Sequence, residues 1–268
     1  MKNTFKNNKN LSIGIFDSGL GGLSICREIV DLLPHESIVY LADSANTPYG
    51  EKTKEEIINL SIKNTELLLE LGCKIIVVAC NTATTNAIDL LRKSYNVPFI
   101  GIEPATKPAA LLTKTGKIGV LATKGTLSSD LFLSTSNRYR DELEMIEVEG
   151  KNLVRLIEKG QLEQTKSLLT KYLQPMINQG ADNIVLGCSH YPFLIPIIKQ
   201  IIPNNIAIID SGAAVAKQTM KVLEQENLLN TKERDATKTF YTNKELEILK
   251  TFLMRINLSA DSISYRAF

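Results

Sequence analysis

Two segments of the chain share one arrangement, and they constrain the fold more than any other feature. Residues 72–82 and 180–190 each run from a glycine through an apolar stretch to a cysteine and two hydrogen-bonding residues. The cysteine follows the glycine by eight positions in both, and Cys188 lies 108 positions after Cys80. Because buried parallel strands form short continuous apolar runs, both segments are interpreted as strands of parallel sheets.

Two further features repeat at nearly the same interval. The sequence KIGVL at 117–121 resembles SIGIF at 12–16, with an offset of 105 positions. Glu103 and Asp210, each of which closes the strand after a cysteine strand, are 107 positions apart. These similar offsets predict an internal duplication in which strands and helices alternate twice.

This alternation predicts an α/β protein with two pseudo-symmetric lobes, each a mostly parallel sheet flanked by helices. The first lobe is expected to comprise residues 11–104 with 215–268, and the second residues 105–214. Residues 1–10 are polar and are expected to form a flexible tail. Since open α/β sheets bind ligands at the carboxyl ends of their strands, the active site is predicted in the cleft between the lobes.

The composition disfavours several classes of protein. Basic and acidic residues nearly balance, 31 against 29, and no basic stripe with interleaved aromatics occurs, so nucleic acid is not an expected partner. No apolar run reaches the roughly 18 residues of a membrane span, and no secretory h-region is present. The protein is therefore expected to be cytoplasmic, without a membrane partner and with four free cysteines. Two histidines and the absence of CxxC spacing argue against a metal site.

A glycine-rich turn, DSGLGG at 17–22, follows the first predicted strand and precedes a helix from about Leu23 to Leu33. Such a turn can bind an anion through its backbone N–H groups. The dinucleotide fingerprint GxGxxG fails here, because Ser24 occupies the third glycine position. Asp43, at the end of the next strand, keeps a nucleotide-dependent enzyme open as an alternative.

The paired cysteines suit proton transfer at a carbon atom. Inversion of a carbon needs a base on one face and an acid on the other, and a thiolate with a thiol supplies both. A free cysteine has a pKa of about 8.5, so each needs assistance near neutral pH. Candidate helpers are His190 for Cys188, and Asp17 and the amino terminus of the following helix for Cys80. The alternative is that both cysteines are buried structural thiols, as Cys26 and Cys73 are expected to be.

Further candidates are neutral hydrogen-bonding side chains at the predicted strand ends: Ser18, Asn81, Thr82, Thr123 and Ser189. They can hold substrate carboxylates without a fixed charge. Any of them could instead cap a helix.

Several motifs occur in the order typical of glutamate racemases, in the aspartate/glutamate racemase superfamily. They are FDSGLGG at 16–22, PYG at 48–50, ACNTA at 79–83, EPA at 103–105, AT and GT within 122–126, and GCSHYP at 187–192. The chain resembles this family over residues 12–212, with a weaker match at 240–242. The resemblance implies a cofactor-independent two-base racemase, usually a homodimer, that interconverts L- and D-glutamate and supplies D-glutamate for peptidoglycan.

The resemblance also implies roles for individual residues. Cys80 and Cys188 would be the catalytic pair, assisted by Asp17 and His190 respectively. Glu158 falls near a further auxiliary acid of the family. The substrate would be held by a larger set of residues: Asp17, Ser18, Tyr49, Gly50, Asn81, Thr82, Thr123, Ser189 and His190.

One position departs from the family pattern. The family usually has threonine where this chain has Ser189. Serine keeps the hydroxyl but lacks the methyl group, so the difference is expected to affect packing or fine specificity. Two alternative functions stay open: a racemase of aspartate or another carboxylated amino acid, and a non-catalytic amino-acid-binding protein, because fold does not fix function. The presence of both cysteines favours catalysis, since binding requires neither.

Overall fold

The computed structural model describes residues 8–139, 143–231 and 235–268, in which strands and helices alternate. The elements of the first half are β1 (Ser12–Asp17), α1 (Leu23–Leu32), β2 (Ile38–Ala42), α2 (Lys54–Glu70), β3 (Cys73–Val78), α3 (Asn81–Ser94) and β4 (Phe99–Gly101). Then follow α4 (Thr106–Leu112), β5 (Lys117–Ala122), α5 (Lys124–Leu127), α6 (Asp130–Asn137), β6 (Glu144–Glu149), α7 (Leu153–Glu158), α8 (Lys166–Asn178), β7 (Asn183–Gly187), α9 (Ile195–Ile198) and β8 (Ala207–Ile209). The last elements are α10 (Gly212–Gln225), β9 (Lys238–Thr242), α11 (Leu246–Arg255) and β10 (Ser262–Tyr265). Short 3₁₀ turns occur at Tyr49–Glu51, Leu162–Thr165 and Tyr191–Leu194.

Helix α2 shows how local sequence sets the boundaries of an element. Thr53 and Glu56 form a capping box, in which each side chain accepts a hydrogen bond from the backbone N–H of the other residue. After the helix, Gly72 adopts a φ of +77°, which glycine tolerates without steric cost. The chain then enters β3, in which every residue is buried, as expected for a central parallel strand.

The strands form two sheets in which all neighbouring strands are parallel. The first sheet has the order β10-β9-β2-β1-β3-β4, and the second has the order β6-β5-β7-β8. The order β2-β1-β3-β4 is therefore repeated in the second lobe. The register is repeated as well, since Gly14 pairs with Ile76 and Gly119 pairs with Ile184. The predicted two-lobed α/β architecture is confirmed, and its repeated register supports an internal duplication.

The C-terminal segment extends the first sheet. Strand β9 pairs with β2, and β10 pairs with β9 at the edge of the sheet. The sequence predicts a strand only at 240–242 and none at Ser262–Tyr265, because the segment SISY lacks an apolar run. Both strands of this segment therefore belong to the first sheet, and the division into residues 11–104 with 215–268 and residues 105–214 stays a prediction.

A buried ion pair lies at the end of the first sheet opposite to Cys80. Lys74 Nζ is 2.6 Å from Glu36 Oε2, and neither side chain is more than 1% exposed. Lys74 also donates to the Lys9 carbonyl at 2.6 Å, and Glu36 accepts from the backbone N–H of Asn230 at 2.8 Å. Residues 8–10 of the predicted tail are exposed, and residues 1–7 lie outside the described residues.

The apolar core is divided by the sheets. The largest buried cluster joins one face of the first sheet to α1, α10 and α11 and continues into the second lobe. A second cluster packs α2 and α3 on the other face of the first sheet, and a third lies beneath α4 and α6. No helix in the described part of the chain has both the length and the apolar character of a membrane span.

Candidate active site

A narrow cavity lies between the lobes, where the carboxyl ends of the central strands meet. The first lobe contributes Ser18, Pro48, Tyr49, Gly50, Cys80, Asn81 and Thr82, and the second contributes Thr123, Val154, Cys188, Ser189 and His190. The cysteines are 4% and 6% exposed. The structure therefore brings two buried thiols, each from the end of a matched strand, to the wall of one cavity.

Cys80 lies two residues after β3 and is the N-cap residue of α3. Its sulfur accepts a hydrogen bond from the backbone N–H of Ala83 at 3.4 Å and lies 3.6 Å from the hydroxyl of Ser18. Burial raises the pKa of the Cys80 thiol well above its usual value, and the charge of Asp17 raises it further. The hydrogen bond from the Ala83 N–H and the contact with the Ser18 hydroxyl both lower the pKa of Cys80.

Cys188 is assisted by an imidazole rather than by a helix. Its sulfur is 3.9 Å from Nδ1 of His190, which is itself 1% exposed. Burial alone lowers the pKa of His190, but hydrogen bonds to Cys188 and Glu158 and the charge of Asp17 outweigh it, so the pKa is well above its usual value. The raised pKa favours the protonated form of His190, which places a positive charge beside the Cys188 sulfur.

Glu158 lies behind His190, outside the wall of the cavity. One carboxylate oxygen is 2.6 Å from His190 Nε2 and accepts the backbone N–H of Leu20 at 2.6 Å. The other accepts the Ser44 hydroxyl at 3.0 Å. Glu158 thus orients the imidazole and stabilises its charge from within the second lobe, while its contacts with Leu20 and Ser44 cross the lobe interface.

Asp17 is also behind the cavity wall. Its carboxylate accepts the Ser189 hydroxyl at 3.0 Å and the backbone N–H of Gly19 at 3.1 Å, and it lies 3.9 Å from His190 Nδ1. Burial raises the pKa of Asp17. The structure places Asp17 against the Cys188 side through Ser189 and His190, in addition to its electrostatic effect on Cys80.

The glycine-rich turn allows this close approach of the second lobe. A β-carbon at Gly19 would lie 2.2 Å from a Glu158 oxygen, and one at Gly21 would lie 2.2 Å from His190 Nδ1. The space beside these glycines is filled by the Glu158–His190 pair, which leaves no room there for a pyrophosphate. The nucleotide interpretation of this turn is therefore wrong, and its glycines serve contact between the lobes.

Tyr49 and Gly50 begin the 3₁₀ turn that covers the cavity. The Tyr49 hydroxyl donates to the Asp43 carboxylate and accepts from Asn64 Nδ2 at 3.0 Å. A β-carbon at Gly50 would lie 2.9 Å from Cβ of Thr123 in the second lobe. Glycine is thus required at position 50 for the turn to close against the second lobe.

Two sets of neutral polar groups face the cavity. Both side-chain polar atoms of Asn81 are buried without a hydrogen-bond partner in the described structure, although Asn81 lines the cavity. The hydroxyls of Thr82, Thr123 and Thr126 form a triangle with sides of 3.0, 3.4 and 3.0 Å. Because buried polar groups are normally paired, the Asn81 amide is a candidate to bind a polar ligand.

A wider, more exposed pocket borders the cavity and shares Gly50 and Thr123 with it. Arg155 of α7 and Glu51 of the 3₁₀ turn form a two-point ion pair across this pocket, with Nε 2.9 Å from Oε1. The hydrogen bond from Arg155 lowers the pKa of Glu51. The pair links the lobes at the entrance of the cleft.

Sequence reasoning did not assign Asp43 to this site, although its signal was available. Asp43 directly follows β2, just as Asp17 ends β1, and strand ends at one edge of a parallel sheet lie close together. Asn64 on α2 and Val154 on α7 carry no comparable sequence signal. Their role depends on helix packing over the site.

The chain is similar to known racemases in sequence and in structure. A model of the Asp/Glu/Hydantoin racemase family matches residues 13–219. The chain is 48% identical over 224 residues to a glutamate racemase of Herpetosiphon aurantiacus, covering 83% of this chain and 88% of the relative. It is similar in structure to glutamate racemase isoform RacE1 from Bacillus anthracis, with a TM-score of 0.87, 29% identity and coverage of 97% and 99% of the two chains.

A second structural neighbour is glutamate racemase from Francisella tularensis in complex with D-glutamate, with a TM-score of 0.84 and 26% identity. The similarity covers 97% of this chain and 98% of the neighbour. The motif resemblance noted in the sequence is thereby confirmed at the level of whole chains. The chain belongs to the Asp/Glu/hydantoin racemase family, and it is an enzyme of the isomerase class.

Proposed function

We propose that this enzyme interconverts L-glutamate and D-glutamate without a cofactor, with Cys80 and Cys188 as the two bases. The observation that carries the proposal is the position of both thiols on the wall of one buried cavity, each at the end of a matched strand. Glutamate is favoured as the substrate because the Herpetosiphon aurantiacus relative is a glutamate racemase and the Francisella tularensis structure contains D-glutamate.

The reaction needs one proton transfer on each face of the α-carbon. The thiolate of one cysteine takes the α-proton and becomes a thiol, and the thiol of the other cysteine gives its proton to the opposite face and becomes a thiolate. The opposite enantiomer reacts with the two roles exchanged. After each turnover the enzyme is therefore in the protonation state that suits the reverse reaction.

The thiolates are stabilised differently in the two lobes. The Ala83 N–H and Ser18 hydroxyl stabilise the Cys80 thiolate, and the His190 imidazolium stabilises the Cys188 thiolate. Asp17 and Glu158 would act as positioning residues, since both lie behind Ser189 and His190. The negative charge of Asp17 raises the pKa of Cys80. If Asp17 assists that thiol, it would do so by accepting a proton or by positioning neighbouring groups.

The substrate carboxylates would be held mostly by neutral donors. The unpaired amide of Asn81 and the hydroxyls of Thr82 and Thr123 are the main candidates on the wall of the cavity. Further contacts are proposed for the other lining groups: Ser18, Tyr49, Gly50, Ser189 and His190. Neutral donors would bind both enantiomers and release either product.

The family resemblance supports three further proposals. The enzyme would act in the cytoplasm, would supply D-glutamate for peptidoglycan synthesis, and would work as a homodimer. The dimer can be tested by sedimentation equilibrium of the purified protein, in which a single species of monomer mass would contradict it.

The first experiment is incubation with L- or D-glutamate in D₂O without added cofactor, following optical rotation and loss of the α-proton, with aspartate as the comparison substrate. Cys80→Ala and Cys188→Ala should each abolish racemization. Cys73→Ala is a matched control, because Cys73 is a buried thiol at the other end of β3 and does not line the cavity. Burial raises the pKa of Cys73 to about 12.

Turnover of aspartate but not glutamate would leave the mechanism intact and contradict the proposed substrate. Binding of glutamate without exchange of its α-proton would contradict the racemase proposal. Equal loss of activity in all three cysteine variants would indicate damage to the fold and not a role in catalysis.

A further inference from the structure

Asn243 directly follows β9 and is 8% exposed, although it lies far along the sequence from the residues of the cavity. Its Nδ2 donates to Asp43 Oδ1 at 2.6 Å and to the Phe268 carbonyl at 3.2 Å. Its Oδ1 accepts the backbone N–H of Ala45 at 2.8 Å. The orientation of the amide is therefore fixed, because a flipped amide would place its oxygen against the carboxylate.

Asp43 continues this network to the cavity. It is 1% exposed, and it accepts hydrogen bonds from the hydroxyl of Tyr49 and from Asn46 Nδ2 at 2.7 Å. Asn64 donates to the Tyr49 hydroxyl at 3.0 Å. Since Tyr49 lines the cavity, a continuous chain of hydrogen bonds leads from Asn243 to the wall of the site.

We propose that Asn243 is a positioning residue of the substrate cavity, which holds Tyr49 and the turn Tyr49–Glu51 in place through Asp43. This inference rests on the proposed racemase function of the cavity. Asn243 holds the segment between β2 and the turn Tyr49–Glu51 at two points, because it contacts both the Asp43 carboxylate and the backbone N–H of Ala45. The C-terminal segment thereby contributes to substrate binding without touching the substrate.

The physical argument concerns the orientation of a buried carboxylate. Asp43 is surrounded by donors, and each one restricts the rotation of the carboxylate about its bond to Cβ. Without the Asn243 donor, Oδ1 of Asp43 loses one of its hydrogen bonds, and the carboxylate can rotate away from the position that suits the Tyr49 hydroxyl. The turn would then lose its anchor on the first lobe and its fixed contact with Thr123.

The test uses the full chain and four variants: Asn243→Asp, Asp43→Asn, the double exchange, and Lys244→Ala. The Asn243→Asp change keeps the side-chain size but sets two carboxylates against each other. We expect KM for both glutamate enantiomers to rise about tenfold, with kcat within about threefold, because the loss concerns substrate binding. Lys244 is the exposed neighbour of Asn243, and Lys244→Ala should leave KM and kcat unchanged.

The double exchange combines Asn243→Asp with Asp43→Asn and so places an amide donor opposite a carboxylate acceptor again. Its KM should therefore be lower than that of Asn243→Asp alone. If the unmodified protein does not racemize glutamate, the proposed function fails. If it does and Asn243→Asp leaves KM within twofold, or the two changes combine additively, the positioning inference is overturned. It is also overturned if Asn243→Asp lowers only the melting temperature and kcat, because that pattern indicates a purely structural role.

Discussion

The two lobes present their cysteines in the same place and stabilise them by different means. Strands β3 and β7 occupy equivalent positions in the four-strand order that the two sheets share, and a cysteine of the cavity follows each within two residues. Cys80 caps the 14-residue helix α3, whereas Cys188 is followed by His190 and a short 3₁₀ turn. The duplicated fold thus fixes where the thiols lie, while local sequence fixes which groups contact each sulfur.

This difference matters because the proposed reaction treats the two faces of the substrate alike. A helix N-terminus offers neutral N–H donors, whose effect does not depend on pH. An imidazolium offers a full charge that depends on its own protonation. The comparison therefore predicts that changes in the two lobes differ in size and in pH dependence.

The largest expected effect comes from removing one thiol at a time. Cys80→Ser and Cys188→Ser should each slow racemization by about 10²–10⁴-fold, because one acid–base group is lost. The remaining thiol should still exchange the α-proton of the enantiomer whose C–H bond faces it, without inversion. Proton NMR in D₂O should show opposite enantiomer preferences in the two variants. The same preference in both would contradict the placement of the thiols on opposite faces.

The ends of the sheets away from the cavity provide a second contrast. Lys74 forms the buried pair with Glu36, whereas Asp182, 108 positions later, accepts the Thr113 hydroxyl at 2.7 Å and the Lys114 N–H at 2.6 Å at the surface. Lys74→Met should lower the free energy of unfolding by about 3–5 kcal/mol, because it leaves a buried carboxylate without its partner.

The matched change Asp182→Asn should cost only about 1 kcal/mol, since its contacts are partly solvated. Hydrogen bonds lower the pKa of Asp182 despite its partial burial, so its contribution is present above the ordinary carboxyl pKa and lost as the pH falls through the lowered value. Urea unfolding at several pH values measures both changes. Equal costs in the two lobes would contradict this contrast.

A smaller effect is expected from His190→Asn. This change removes the imidazole beside the Cys188 sulfur, so the acidic limb of the pH profile of kcat/KM should move to higher pH, and activity at pH 7 should fall by about 10²-fold. Ser18→Ala, which removes a neutral group near Cys80, is the comparison in the other lobe and should move the limb less. A larger shift for Ser18→Ala would reverse the proposed assignment.

Much of the fold was accessible from the sequence because its signals are local or periodic. The run SIGIF predicts β1, and GCKIIVVACNT predicts both β3 and the following turn, since buried parallel strands need continuous apolar residues. The cavity-lining positions at strand ends follow from the same rule, as Ser18, Asn81 and Thr123 illustrate. The short exposed strand β10 has no such pattern, and its pairing with β9 depends on the rest of the sheet.

The sequence by itself determined the repeated strands, the cysteine spacing and the motifs that place the chain in its family. Only the tertiary structure decided that Glu158 lies behind His190, that the glycine turn receives both of them, and that Asn243 supports Asp43. The contacts of the glycine turn with Glu158 and His190 join different lobes, and Asn243 and Asp43 are 200 positions apart. Their geometry depends on how the two sheets pack, and no local pattern of the chain encodes that packing.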